Sequence, residues 1–490
     1  LTWLLLRHEW RLTWRGVRFG RFGTPSIPVL LLLFAGAQMV GLSLGWTIVK
    51  AHPPERVMLA GASAGLIFLA VLMLAQALGS VVEALFERRD LVWLLTTPAP
   101  FRRLILMRIA ALAAGVAWPW WLFAGAVANG LAVAGRPAAL AAYPVIFAMA
   151  LLAVAVAAML AGGLVALAGV ARARGYATAL AMAVGATGFL AGQFQTILNR
   201  AQQVAVWRWL QPSGEPGLPW WPARAALGDP WPLTAIAAAG LAAGAAAAWL
   251  VVSRLLHMGA FEGARRRAAP AMAPVRFRAG TRTVLFWTEL RLLRRSLGLL
   301  GQAAYPLVYL VPIAVAGWRG GVEVTGSAPV FAAGAIAAVL MATAVGADEA
   351  GELVQTAPVP VHLVVRAKLA AASTMVGAIM LPPVLAIGVW KPVLLPSMLV
   401  GGIAATFSGL LFGVWRPDQV RRVDLGSGQR AFRGVDFLQF CVNMAWAGAA
   451  SLAVVAPAWA ALPVGIAVVL VWWGWPRRWK PLQRQRRQSA

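Results

Sequence analysis

Residues 139–170 read ALAAYPVIFAMALLAVAVAAMLAGGLVALAGV, with no Asp, Glu, Lys or Arg among them. A helix rises about 1.5 Å per residue, so a stretch of this length covers the roughly 30 Å of hydrocarbon in a bilayer. Similar apolar blocks recur at 27–49, 57–82, 106–132, 176–198, 232–256, 299–317, 328–347, 369–390, 393–415, 435–456 and 459–475. Backbone groups in lipid must be satisfied within their own segment, and the period-two alternation of a barrel strand is missing, so the blocks read as helices. The 490 residues are 61% hydrophobic and 12% charged, with mean hydropathy +0.75. An average soluble domain carries about 25% charged residues. The expected fold class is an all-α polytopic membrane protein of about twelve transmembrane helices.

The formal net charge of +27 would suit a nucleic-acid binder, but its distribution suits a membrane better. With the N-terminus placed in the cytoplasm, 35 of the 43 Lys and Arg fall on the cytoplasmic side of these blocks. The other side receives eight: Lys50, Arg56, Arg136, Arg200, Arg208, Arg224, Arg319 and Lys391. This is the positive-inside bias of an even number of spans with both termini cytoplasmic. The basic excess then meets anionic lipid headgroups, and no nucleic-acid reader motif accompanies it. No cleavable signal peptide is expected, because Arg7, Arg11, Arg15 and Arg18 interrupt the apolar residues of 1–20. The single cysteine, Cys441, lies inside an apolar block and leaves the redox compartment unread.

The chain repeats itself. Arg7-His8-Glu9-Trp10-Arg11 matches Trp287-Thr288-Glu289-Leu290-Arg291, superimposing Glu9 on Glu289 and Arg11 on Arg291 at an offset of 280. Leu94-Leu95-Thr96-Thr97-Pro98-Ala99-Pro100 matches Val354-Gln355-Thr356-Ala357-Pro358-Val359-Pro360 at an offset of 260, which also places Arg108 on Lys368. The order of features is the same twice: a basic amphipathic helix, two spans, a Pro-x-Pro loop and four more spans. The expected organisation is a first half at 1–257, a basic linker at 258–282, a second half at 283–476 and a basic tail at 477–490. Six spans per half, an even number, make the repeat parallel.

Arg spaced three and four residues apart beside Leu, Trp and Phe marks 1–20 and 283–298 as interfacial helices lying among headgroups. Glu9 and Glu289 are expected to pair with neighbouring Arg on their own helices. The loops 87–103 and 348–362 open with acids (Glu87, Asp90; Asp348, Glu349, Glu352), where the positive end of a short helix favours them. They continue through apolar residues such as Leu94 and close on Thr97-Pro98-Ala99-Pro100-Phe101-Arg102 and Thr356-Ala357-Pro358-Val359-Pro360-Val361-His362. The prolines end the helix by disfavouring it at the residue before them.

In these residues the sequence resembles the permeases of type-2 ATP-binding-cassette (ABC) exporters, in which an acidic patch, a Leu-rich stretch and a Thr/Ser-Pro-x-Pro/Ser turn lie between the second and third spans. The resemblance implies that 87–103 and 348–362 are coupling loops docking on separate ABC ATPase subunits, two copies, in the plasma membrane of a bacterium. It also covers Leu218-Pro219-Trp220-Trp221-Pro222-Ala223-Arg224-Ala225, which is similar to the family's extracellular Pro-Trp-x-Ala stretch. Two features depart from the family: its permeases are mostly six-span units that dimerise, and the second half here has almost no loop before its last span.

No Gly-x-x-x-x-Gly-Lys-Ser/Thr loop occurs, nor any Gly-Lys dipeptide, so ATP is expected on a partner and no cofactor on this chain. The 16 acids lie in loops, interfacial helices or block ends, which disfavours an ion-coupled secondary transporter. His8, His52, His257 and His362 are scattered, so neither a metal site nor an enzyme is expected. Gln38, Gln76, Asn129, Gln193, Gln302, Gln439 and Asn443 lie inside apolar blocks, where hydrogen bonding between helices is their ordinary use. Trp118-Pro119-Trp120-Trp121 is expected to mark a kink. The expected function is export of a hydrophobic or amphipathic substrate, driven by a separate ATPase. The alternatives are a secondary transporter and a noncatalytic membrane scaffold.

Overall fold

The computed structural model describes residues 26–82, 101–210, 217–261, 280–295, 303, 306–308, 310–318, 326–346, 359–415 and 434–474. Every regular element among them is helical. The α-helices are α1 Ser26–Lys50, α2 Glu55–Val82, α3 Phe101–Val133, α4 Ala142–Ala168, α5 Val170–Gly192, α6 Phe194–Ile197, α7 Arg200–Leu210, α8 Trp221–Ala226 and α9 Pro230–Phe261. They continue with α10 Thr281–Arg295, α11 Leu310–Trp318, α12 Ser327–Gly346, α13 Val361–Trp390, α14 Leu395–Trp415, α15 Gly434–Val455 and α16 Ala461–Gly474. Among the described residues nine helices are long and apolar enough to cross a membrane: α2–α5, α9 and α13–α16. This is the make-up of a multi-pass membrane protein. The described helices fall into two compact units, α1–α9 and α10–α16.

Helices overrun the apolar blocks where charge begins. α13 starts at Val361 rather than at 369, carrying Arg366 and Lys368 in its first turns, and α5 starts at Val170 rather than at 176, carrying Arg172 and Arg174. Apolarity locates the part of a helix that sits in hydrocarbon, whereas backbone hydrogen bonding continues into the polar boundary.

In the first unit α4 is the centre, packed against α2, α3, α5 and α9. Val145, Ile146, Met149, Ala150, Val154, Ala157, Ala158 and Ala161 are buried along it, and its many alanines let neighbouring helices come close. α1 lies directly on α3. A Cβ added at Gly41 would fall 2.3 Å from the Ala126 carbonyl carbon, and one at Gly45 would fall 2.3 Å from that of Gly130. Gly41 and Gly45 on one helix thus face Ala126 and Gly130 on the other, each pair four residues apart. Small residues at this spacing let backbones approach where apolar burial gives no net drive between helices in lipid.

Polar groups inside the first unit find each other. Asn129 Nδ2 donates to Gln38 Oε1 at 3.0 Å, and the Tyr143 hydroxyl donates to Asn129 Oδ1 at 3.1 Å, linking α1, α3 and α4. α3 runs helically through Pro119. Proline has no N–H, so the carbonyl four residues earlier, that of Gly115, loses its helical partner. Gln76 Nε2 of α2 donates to that carbonyl in a long 3.4 Å contact.

In the second unit α12 is the centre, packed against α13, α14 and α15. Gly401, Ala405, Gly409 and Gly413 recur every fourth residue along α14 and are all buried. A Cβ at Gly409 would meet the Gly334 carbonyl oxygen of α12 at 2.6 Å. Gln439 Nε2 donates to Asn443 Oδ1 at 2.8 Å on α15, and Trp446 Nε1 donates to the Ser408 hydroxyl of α14 at 3.0 Å.

Candidate functional site: a clasp of three helices

α10 is amphipathic: Glu289, Leu290 and Leu293 are buried, while Arg291, Arg294 and Arg295 are exposed. Leu290 and Leu293 join a core with Ile336, Leu340, Met341, Ala371 and Met375, so α10 is pressed onto α12 and α13. That packing carries Glu289 inward beside them. Its carboxylate pairs with Lys368 of α13, Oε1 to Nζ at 3.0 Å, with side chains 11% and 4% exposed respectively. The expected partner, a neighbouring Arg on the same helix, is replaced by a lysine on another helix, because the buried face of α10 turns Glu289 away from its exposed arginines.

Lys368 Nζ also donates to the Ala344 carbonyl at 2.6 Å. Ala344 lies two residues before Gly346, the last described residue of α12. One ammonium therefore neutralises a buried carboxylate and binds a backbone carbonyl of α12. The clasp ties α10, the part of α12 near Gly346 and the first turns of α13.

Of the residues singled out from sequence, the clasp takes up Glu289. Pro360 precedes α13 in extended conformation (φ −60°, ψ 127°), and His362 is exposed in the helix's first turn. Arg102 is exposed at the start of α3, and Arg291 is exposed on α10. Glu9, Arg11, Glu87, Asp90, Leu94, Thr97, Pro98, Pro100, Asp348, Glu349, Glu352, Thr356 and Pro358 lie outside the described residues. α13 begins at Val361 directly after Pro358-Val359-Pro360, and α3 is described from Phe101, which follows Pro98-Ala99-Pro100 in sequence at the offset of 260 that superimposes the two motifs. Lys368 was missed as a site residue; its alignment with Arg108, a second basic residue at the same depth of the equivalent helix, was the available signal.

The Pro-Trp stretch is also anchored. Leu218–Trp220 forms a 3-10 turn leading into α8, whose Ala223, Ala225 and Ala226 are buried. Asp229 then caps α9: its Oδ1 accepts from Trp231 N at 3.3 Å, Pro230 occupies the first helical position, and Arg224 Nε donates to Oδ2 at 2.8 Å. Among the described residues no cluster of His, Cys, Asp and Glu could hold a metal ion. Comparison with protein-family models, curated proteins and solved structures finds no match to this chain.

Proposed function

We propose that this chain is the membrane subunit of an ABC-type exporter: two parallel six-span halves fused in one chain, with both termini cytoplasmic, moving a hydrophobic or amphipathic substrate. A separate ATPase pair docks on 87–103 and 348–362, and its closure rocks the halves to alternate access. The observation that carries this reading is the start of α13 directly after Pro358-Val359-Pro360, a motif that the sequence repeats as Pro98-Ala99-Pro100 before α3 at an offset of 260. Further support comes from packing, since α2 lies against α4 and α5 as α12 lies against α14 and α15. The clasp adds a rigid support beside the second loop, where force from a docked partner has to enter the bundle.

Purification of the tagged chain from native membranes should bring down a soluble ATPase with a Gly-Lys-Ser/Thr phosphate loop, and the chain alone should hydrolyse no ATP. Reversal of charge at Glu87 with Asp90, or at Asp348 with Glu349, should weaken that association. Recovery of no ATPase, together with substrate movement by the purified chain in liposomes under an ion gradient alone, would replace this reading with a secondary transporter.

A further inference from the structure

α7 begins with a reciprocal cap: Asn199 Oδ1 accepts from Gln202 N at 2.9 Å, and Gln202 Oε1 accepts from Asn199 N at 3.0 Å. Gln203 Nε2 donates to the carbonyls of Gln195 at 2.6 Å and Leu198 at 3.0 Å, which ties the helix to the turn before it. These bonds fix how α7 is rotated. Gln203, Val206 and Trp207, at i, i+3 and i+4, form its half-buried side, and the helix packs on α2.

The rest of its surface is open and has a definite chemistry. Arg200, Val204 and Arg208 follow one another at four-residue intervals, Ala201 and Ala205 lie between, and Trp209 is 76% exposed. α7 contains no acid. It connects α5 to α9, both long and apolar enough to cross a membrane, so it lies at a membrane boundary. Bulk water would leave an indole and a valine uncovered there, and hydrocarbon would strand two guanidinium groups. The headgroup layer accommodates both. The same pairing of cation and indole recurs at helix ends, with Lys50 Nζ 5.6 Å from the Trp46 ring centre and Lys391 Nζ 5.0 Å from that of Trp390.

We propose that the open face of α7 lies in the headgroup layer and binds anionic phospholipid, with Arg200 and Arg208 donating to phosphate oxygens and Val204 and Trp209 entering the boundary below them. This does not depend on the exporter reading.

The test uses the full chain in nanodiscs of equal phosphatidylglycerol and phosphatidylcholine. A nitroxide at A205C, in a C441A background, should collide more with oxygen than with an aqueous nickel chelate. Separately, the site's preference for phosphatidylglycerol, read by mass spectrometry of retained lipid, should fall about fivefold for each arginine changed to Gln. R200K/R208K, which keeps the charge, should retain most of it. A label open to the chelate, a label shielded from both reagents by a protein partner, or a lipid ratio unchanged in R200Q/R208Q would each overturn the proposal.

Discussion

Lys368 and Glu289, 3.0 Å apart on different helices, share an enclosure in which neither side chain is more than 11% exposed. Removing one partner strands the other as a buried charge, at a cost of about 3–5 kcal/mol, whereas replacing both with apolar residues of similar size is often neutral. K368M and E289M should therefore each lower the thermal midpoint of the detergent-solubilised protein, and K368M/E289M should recover most of the loss. If the double variant is as unstable as the sum of the singles, the two groups are not coupled and the pair carries no stability of its own.

The repeat superimposes Glu9 on Glu289 and Arg108 on Lys368. The first half is accordingly expected to use Glu9 and Arg108 as the second uses its pair. E9Q and R108M should each destabilise, and the exchange E9R/R108E should restore the midpoint relative to E9R alone. Independent, additive losses would confine the clasp to the second half.

The approach of α1 to α3 leaves no room for a methyl group at Gly41, where an added Cβ would lie 2.3 Å from backbone, whereas one at Gly36 meets nothing within 4 Å. G41A should reduce the yield of folded, monodisperse protein and lower its midpoint, with overpacking costing about 1–3 kcal/mol. G36A should leave both unchanged in fluorescence-detected size-exclusion chromatography.

Gln76 supplies the hydrogen bond that Pro119 withholds from Gly115. Q76L should cost about 1 kcal/mol by leaving that carbonyl unsatisfied. In a P119A background, where the substituted alanine offers its own N–H, the same change should cost almost nothing. An equal loss in both backgrounds, measured by thermal unfolding, would mean that Gln76 acts through packing.

Much of this architecture was legible in the residues because lipid imposes a simple rule: a segment without charge and long enough to cross must be helical. The block at 139–170 became Ala142–Ala168. Helix starts such as Val361 were harder to read, since Arg366 and Lys368 make a continuing helix look like a loop. The glycines of α1 and α14 were visible as composition, but which helix each approaches depends on three-dimensional packing that no local pattern encodes. Of the candidate site, the prominence of Glu289 was readable. Its partner was not, because the lysine lies far along the chain and meets it only after Leu290 and Leu293 have been buried.

The Ala344 carbonyl, held at 2.6 Å by Lys368, brings a last consequence. The part of α12 near Gly346 and the incoming turns of α13 are stapled to each other. A force applied to any one of these helices at that point is divided at one ammonium among three.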